Sequence, residues 1–316
     1  MRAIPYGKQA IDDDDIKAVV DTLQSDFLTQ GPRVKAFEEA FAEYVGAKYA
    51  VAVANGTAAL HLSALALGVA PGKKVLTTPI TFAASANCVL YAGGEIDFVD
   101  IDPDTFLIDL DKLEEKLSAA PQGTYSGVIP VDFAGYPVDL ERLRRIADQY
   151  GLWILEDACH APGAYFTDSN GAKQHCGNGN FADLAIFSFH PVKHIATGEG
   201  GMITTNDEAL YKKLLLLRTH GITKDSESFQ NSIDIAIGNP SMTTNEGQRP
   251  NNLKTKNDMP RSGTNDAKQM ANDFPGWYYE MQELGFNYRL SDIQAALGAS
   301  QLKKADRGLQ SRNTIA

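Results

Sequence analysis

Apolar residues early in the chain recur at helical spacing. Ile16, Val19, Val20 and Leu23 share one face of a helix that begins after Ile11, and a second amphipathic helix is predicted from Pro32 to Tyr44. The acidic run at 12–15 reads as the first turn of the first helix, where the helix dipole favours negative charge.

Past Tyr44 the period changes, and short apolar runs alternate with helical stretches. YAVAV (49–53) precedes TAALHLSALALG (57–68), and KVLTT (74–78) precedes TFAASANCVLYAGG (81–94). EIDFVD (95–100) leads to DLDKLEEKLSAA, GVIPVDF (127–133) to DLERLRRIADQYG, and LWILEDA (152–158) to a glycine-bearing loop. Gly68 and Gly151 stand where helices should end, Asp109 and Asp139 where they should begin. The alternation predicts βα units on a mostly parallel sheet, hence an α/β fold. Ligands on such sheets bind beyond the carboxyl ends of the strands, so the loops there are where chemistry belongs.

Residues 222–276 break the rhythm, being rich in Asn, Ser, Thr, Gly and Pro and poor in apolar residues. The expected organisation is a large domain over 1–221, a polar insertion over 222–276 and a return segment over 277–316. In that return, Ser291 or Asp292 should cap a helix whose Ile293, Leu297 and Leu302 mark one face.

Composition narrows the function classes. With 316 residues, 43% of them apolar, the chain can build one large core and part of another. A net charge of −11 opposes long-range attraction to nucleic acid or to an anionic membrane, while leaving room for a local site that takes one anion. The N-terminal segment lacks a secretory apolar stretch, and no run reaches membrane-spanning length. Cys88, Cys159 and Cys176 are odd in number, widely spaced and in no metal-ligand pattern, so neither a disulfide framework nor a metal site is expected, and a cytoplasmic setting fits.

Four pieces of chemistry fall at strand ends. In ANGTAAL (54–60), Gly56 lets the backbone approach closely, and the helix-start amides with the Thr57 hydroxyl can hold a phosphate; many such turns are only tight connections. LEDACHAPGA (155–164) follows so apolar a strand that Glu156 and Asp157 are expected at its mouth. FSFH (187–190) adds Ser188, and Lys193 follows in a loop ahead of TGEGG. A desolvated lysine loses its proton readily and forms imines with aldehydes, whereas an isolated one is commonly just solvated. Phosphate donors, a carboxylate and an imine-forming lysine on three loops are what pyridoxal 5'-phosphate requires. A nicotinamide-dependent α/β enzyme has no support, since no strand is followed by a G-x-G-x-x-G turn.

GTAALHLSALALG, TPITFAASAN, LEDACHAPGA, FSFHPVKHIATGEGG and LGFNYRLSDIQAALG, in that order, resemble the DegT/DnrJ/EryC1/StrS family of nucleotide-sugar aminotransferases. The resemblance spans the chain apart from residues 224–272 and implies the type I fold of pyridoxal phosphate enzymes. Within the family, IPYGKQ, SDFLTQGP and HPVK followed by TGEGG most resemble the branch that makes UDP-4-amino-4,6-dideoxy-N-acetyl-β-L-altrosamine, a precursor of pseudaminic acid. L-glutamate would be the amino donor and a UDP-linked 4-keto sugar the acceptor.

Carried over residue by residue, the resemblance makes Lys193 the lysine bonded to the cofactor and the proton shuttle, with Asp157 on the pyridine nitrogen. Gly56, Thr57, Ala58 and Ser188 would hold the phosphate, and Phe82 would stack on the ring. His160 stands near the ring hydroxyl, where many family members have glutamine; a plain core histidine is the other reading. Asn287 would reach the phosphate in a neighbouring subunit, which implies a homodimer. Asn55 stands where serine is frequent. The related sugar 3-dehydratases carry histidine in place of the lysine, so Lys193 favours amino transfer. The family pattern runs on beyond the equivalent of Ala316 into a small C-terminal domain, which the resemblance therefore implies is truncated here.

Overall fold

A computed structural model describes residues 7–229 and 277–315. Helices α1 (Asp13–Leu23) and α2 (Pro32–Val45) lead into β1 (Tyr49–Val53) and α3 (Gly56–Ala66). There follow β2 (Lys74–Thr77), α4 (Ala83–Tyr91), β3 (Glu95–Phe98), α5 (Leu110–Ala119), β4 (Tyr125–Ile129), α6 (Leu140–Tyr150) and β5 (Trp153–Asp157). A hairpin of β6 (Tyr165–Thr167) and β7 (Lys173–His175) precedes β8 (Leu184–Ser188), β9 (Gly201–Thr205) and α7 (Glu208–Arg218). The chain resumes through α8 (Asp292–Leu302) and α9 (Ala305–Ile315).

Among the described residues the main sheet has seven strands in the order β1-β9-β8-β5-β4-β2-β3. The neighbours from β8 through β3 are parallel, and β9 alone runs against both β1 and β8. Two reversals restore direction, so β1, β8, β5, β4 and β2 all end at the same edge. Every turn that carries a candidate residue except Asn287 therefore opens at that edge.

The predicted punctuation is present. Asp109 accepts from the amides of Asp111 and Lys112, Asp139 accepts from Arg142 N–H, and Gly68 and Gly151 follow their helices at φ +82° and +70°. Strands β5 and β8 read as continuous apolar runs because both faces of the sheet are covered. On one face Phe37, Phe41, Phe187 and Phe189 form an aromatic cluster with ring centroids 4.9–6.2 Å apart. Truncating any of them to alanine would cost about 3–5 kcal/mol.

Two helix faces depart from the sequence reading. In α1 the apolar stripe is largely exposed, with Ile16 at 54%, Val20 at 42% and Leu23 at 54%. The buried positions are Asp15 and Thr22, because Asp15 accepts from Gln301 Nε2 and from Lys304 Nζ, each at 2.7 Å. In α8, Ile293 and Leu297 are only half-buried, whereas Ala295, Gly298 and Leu302 face the core. A side chain at Gly298 would fall 2.6 Å from the Phe37 ring, so close helix approach selects small residues there. Ser291 is the cap, in a capping box with Gln294, while the buried Asp292 accepts from the amides of Gly31 and Val34 and caps α2 instead.

The chain divides into two compact units. One is Met1–Arg218 with Asn287–Ala316, the other Thr219–Phe286. Within the second, β10 (Ile222–Thr223) pairs antiparallel with β11 (Glu280–Met281). Most of the segment read as a polar insertion, residues 230–276, lies outside the described residues. Within the first unit, Tyr288 N–H donates to Arg218 O over 3.1 Å, Tyr288 O accepts from Ala54 N–H over 2.7 Å, and Arg289 bridges Val53.

Candidate active site

At the end of β1 the chain turns directly into α3. Asn55 is the N-cap, its Oδ1 accepting from Ala58 N–H over 2.8 Å, which settles the contact of this residue. The amides of Gly56 and Thr57 precede the first intrahelical donor, Ala59 N–H, and stay available to an anion at the positive end of the helix. Ala58, although in the same turn, has its amide taken by Asn55. Ser188, at the end of β8, faces this turn: a methyl built on Gly56 would lie 3.0 Å from Ser188 Cβ and 3.3 Å from its Oγ. The register accounts for the closeness, since Val53 and Ser188 both pair with Gly201 of β9.

The strand pleat separates the two acids of β5, since successive side chains point to opposite faces. Neither lies at an open mouth as expected: Glu156 is 1% exposed and Asp157 4%. Asp157 Oδ2 accepts from Ser85 Oγ–H over 2.7 Å, and Oδ1 accepts from Cys159 N–H over 3.2 Å. Phe82 is the N-cap of α4 and is 78% exposed, so its ring is open to cover a flat ligand.

His160 follows in the turn after β5, and its Nδ1 accepts from Ala134 N–H over 3.3 Å. That contact assigns the ring proton to Nε2, making His160 a donor on its far side. Burial, and after it the charge of Lys193, push His160 below its ordinary value, so it is neutral at pH 7. His194 is driven further down, to about 4, first by burial and then by Arg312, His160 and Lys193. Lys193 lies close enough to act electrostatically on Cys159, His160 and His194 at once. Its loop is closed by Lys193 N–H to His190 O at 2.8 Å, Thr197 N–H to Phe189 O at 2.9 Å and Phe189 N–H to Gly200 O at 2.8 Å. Glu199 shapes this loop through its carbonyl, which accepts from Thr197 Oγ1 and Gln294 Nε2. Asn287 is exposed, next to Tyr288, whose carbonyl accepts from Ala54 N–H just before the β1–α3 turn.

Sequence reasoning passed over three groups. Ser85 and Thr81 reach Asp157 through α4, and their four-residue spacing at a helix start was the available signal. The third is a trio on the opposite sheet face, where ligand atoms of Asp132, Glu156 and Cys176 lie within 4.8 Å of one another. Burial first, then repulsion from Asp132, raises Glu156 well above the ordinary carboxyl range, and burial raises Asp132 too. The folded pair therefore holds a proton to higher pH than free carboxyls do.

Because the folded pair binds a proton that the unfolded chain releases, its contribution to stability is full below about pH 4.5 and is lost as pH rises through the folded values. In Glu156→Gln the amide can keep accepting from Gly177 N–H and donate to the Asp132 carboxylate. The variant's urea midpoint, measured against wild type from pH 5 to 8, should fall less steeply with pH. Parallel curves would refute the raised proton affinity of the pair.

The donors fit a phosphorylated aromatic aldehyde: two helix-start amides and two hydroxyls for the phosphate, an exposed aromatic for the ring, a carboxylate for a ring cation, and a lysine. Residues 9–316 match the profile of the DegT/DnrJ/EryC1/StrS aminotransferase family. The chain is 39% identical over 313 residues to the UDP-4-amino-4,6-dideoxy-N-acetyl-β-L-altrosamine transaminase of Campylobacter jejuni, an alignment covering 99% of this chain and 67% of that one. Among solved structures it is similar to Helicobacter pylori PseC, an aminotransferase involved in the biosynthesis of pseudoaminic acid, at 30% identity and TM-score 0.72, over 97% of this chain and 67% of that one. It is also similar to the PLP and PMP forms of Streptococcus pneumoniae Spr1654, at 27% and 28% identity and TM-scores of 0.75 and 0.76, over 99% of this chain and 69% and 70% of those. The cofactor is pyridoxal phosphate. The chain belongs to the DegT/DnrJ/EryC1/StrS aminotransferase family and is a sugar aminotransferase.

Proposed function

We propose that this chain transfers the amino group of L-glutamate to the 4-keto group of a UDP-4-keto-6-deoxy-N-acetylhexosamine, forming UDP-4-amino-4,6-dideoxy-N-acetyl-β-L-altrosamine. The observation that carries the choice of sugar is the 39% identity to the Campylobacter transaminase across 313 residues. The roles of the residues rest on the meeting of the β1–α3 turn with the ends of β5 and β8. When bound, pyridoxal phosphate supplies an electron sink for the bonds around the donor Cα.

Gly56 and Thr57 amides, with the Thr57 and Ser188 hydroxyls, hold the phosphate; Ala58 contributes by its place in the turn. Phe82 covers one ring face and Asp157 accepts from the ring nitrogen. His160, neutral and protonated on Nε2, donates to the ring hydroxyl. Lys193 would hold the cofactor covalently and, with its amine freed, would be the base that takes the proton from the donor Cα. With the keto sugar bound, the same amine returns a proton to sugar C4, so both halves share one shuttle. Asn287 serves the site of a partner copy in a homodimer, and the reaction takes place in the cytoplasm.

Purified protein incubated with pyridoxal phosphate, glutamate and a panel of 4-keto and 3-keto nucleotide sugars tests the reading. Mass spectrometry should find amination fastest on the UDP-linked 4-keto-6-deoxy-N-acetylhexosamine that yields the altrosamine. Preference for another sugar would overturn the substrate and leave the family standing.

A further inference from the structure

Thr81 and Ser85, which have no role above, form a hydrogen-bonded file that ends on Asp157. Ser85 is the third residue of α4 and fully buried, and its Oγ–H donates to Asp157 Oδ2 over 2.7 Å. Thr81 Oγ1 donates to Ser85 Oγ over 2.8 Å. A hydroxyl has one proton, so a serine that accepts from Thr81 has its own proton committed to the carboxylate. Serines within helices commonly turn back onto a carbonyl of the preceding turn. This one spans instead to β5, 72 positions along the chain.

With Cys159 N–H on Oδ1, the carboxylate is gripped at both oxygens from two different elements. Thr81 and Ser85 also bracket Phe82 at the start of α4, so one helix start places both the aromatic ring and the carboxylate.

We propose that Ser85, oriented by Thr81, is a positioning residue for amino transfer: it fixes the plane of the Asp157 carboxylate so that a remaining lone pair meets the pyridine nitrogen. The inference rests on the reading that Asp157 receives that nitrogen. Hydrogen bonds to charged groups are strong enough for the loss of Ser85 Oγ to slow the glutamate half-reaction about 10- to 100-fold.

Wild type, Ser85→Ala, Thr81→Val and Asp157→Asn are loaded with pyridoxal phosphate carrying 15N in the ring, and the ring nitrogen resonance is recorded beside the half-reaction rate. Thermal unfolding of the cofactor-free proteins reports on the fold. In wild type the resonance should be that of a protonated nitrogen. Asp157→Asn should move it to the unprotonated position, Ser85→Ala should move it part of the way, and Thr81→Val less far in the same direction. A shift with Asp157→Asn and none with Ser85→Ala would overturn the proposal while keeping Asp157 in its role. No shift with either would overturn both. If Ser85→Ala fails to fold, Thr81→Val decides, since it leaves Ser85 in place and releases its proton; an unmoved resonance there is again fatal.

Discussion

Lys193→Ala should lose essentially all glutamate-dependent amination. A positioned general base contributes about 10²- to 10⁴-fold, and the variant also loses the covalent attachment of the cofactor. Among the described residues the groups nearest the amine are poor substitutes for it. His160 and His194, the titratable neighbours on which its charge acts, are both held below the ordinary histidine value, and burial keeps Cys159 a thiol. Borohydride reduction of the loaded wild type should leave a pyridoxyl mass on the peptide containing Lys193, and none in the variant. Retention of a tenth or more of the wild-type rate would reject the assignment.

Asp157→Asn should bind the cofactor and still slow the glutamate half-reaction by about 10²-fold or more, as expected when charge placed against a developing transition state is removed. Two donors already point at this side chain, Ser85 Oγ–H and Cys159 N–H. An amide offers one acceptor oxygen, so one of those donors must face an NH₂ group. The conflict adds about 1–3 kcal/mol of destabilisation, measurable as a lowered melting temperature of the cofactor-free protein. An unchanged half-reaction would remove Asp157 from its proposed place.

Much of this site could be read from residue order because the sheet is covered on both sides. Runs such as YAVAV and LWILED have no solvent face to blur them, and Asp109, Asp139, Gly68 and Gly151 mark the helix ends through local hydrogen bonding and backbone preference. What escaped depends on partners distant in the chain. Strand alternation alone sends Glu156 away from Asp157, yet nothing near Glu156 points to Asp132, 24 positions earlier. The hydrogen bond from Ser85 to Asp157 is hidden in the same way. In α1, and at Ile293 and Leu297 but not Leu302 of α8, the apolar residues suggested the wrong face, because the ion pair of buried Asp15 and the close approach at Gly298 decide which side packs.

The bond from Tyr288 N–H to Arg218 O bears on how this protein can be re-engineered. The backbone leaves and rejoins the sheet-bearing unit at two points already within hydrogen-bonding distance, although 70 positions separate them. A short turn can close that gap without stretching either end. The stretch Thr219–Phe286 is thus a cassette: its shortening or exchange, with Asn287 retained, should leave the register of β1 and α3 unchanged.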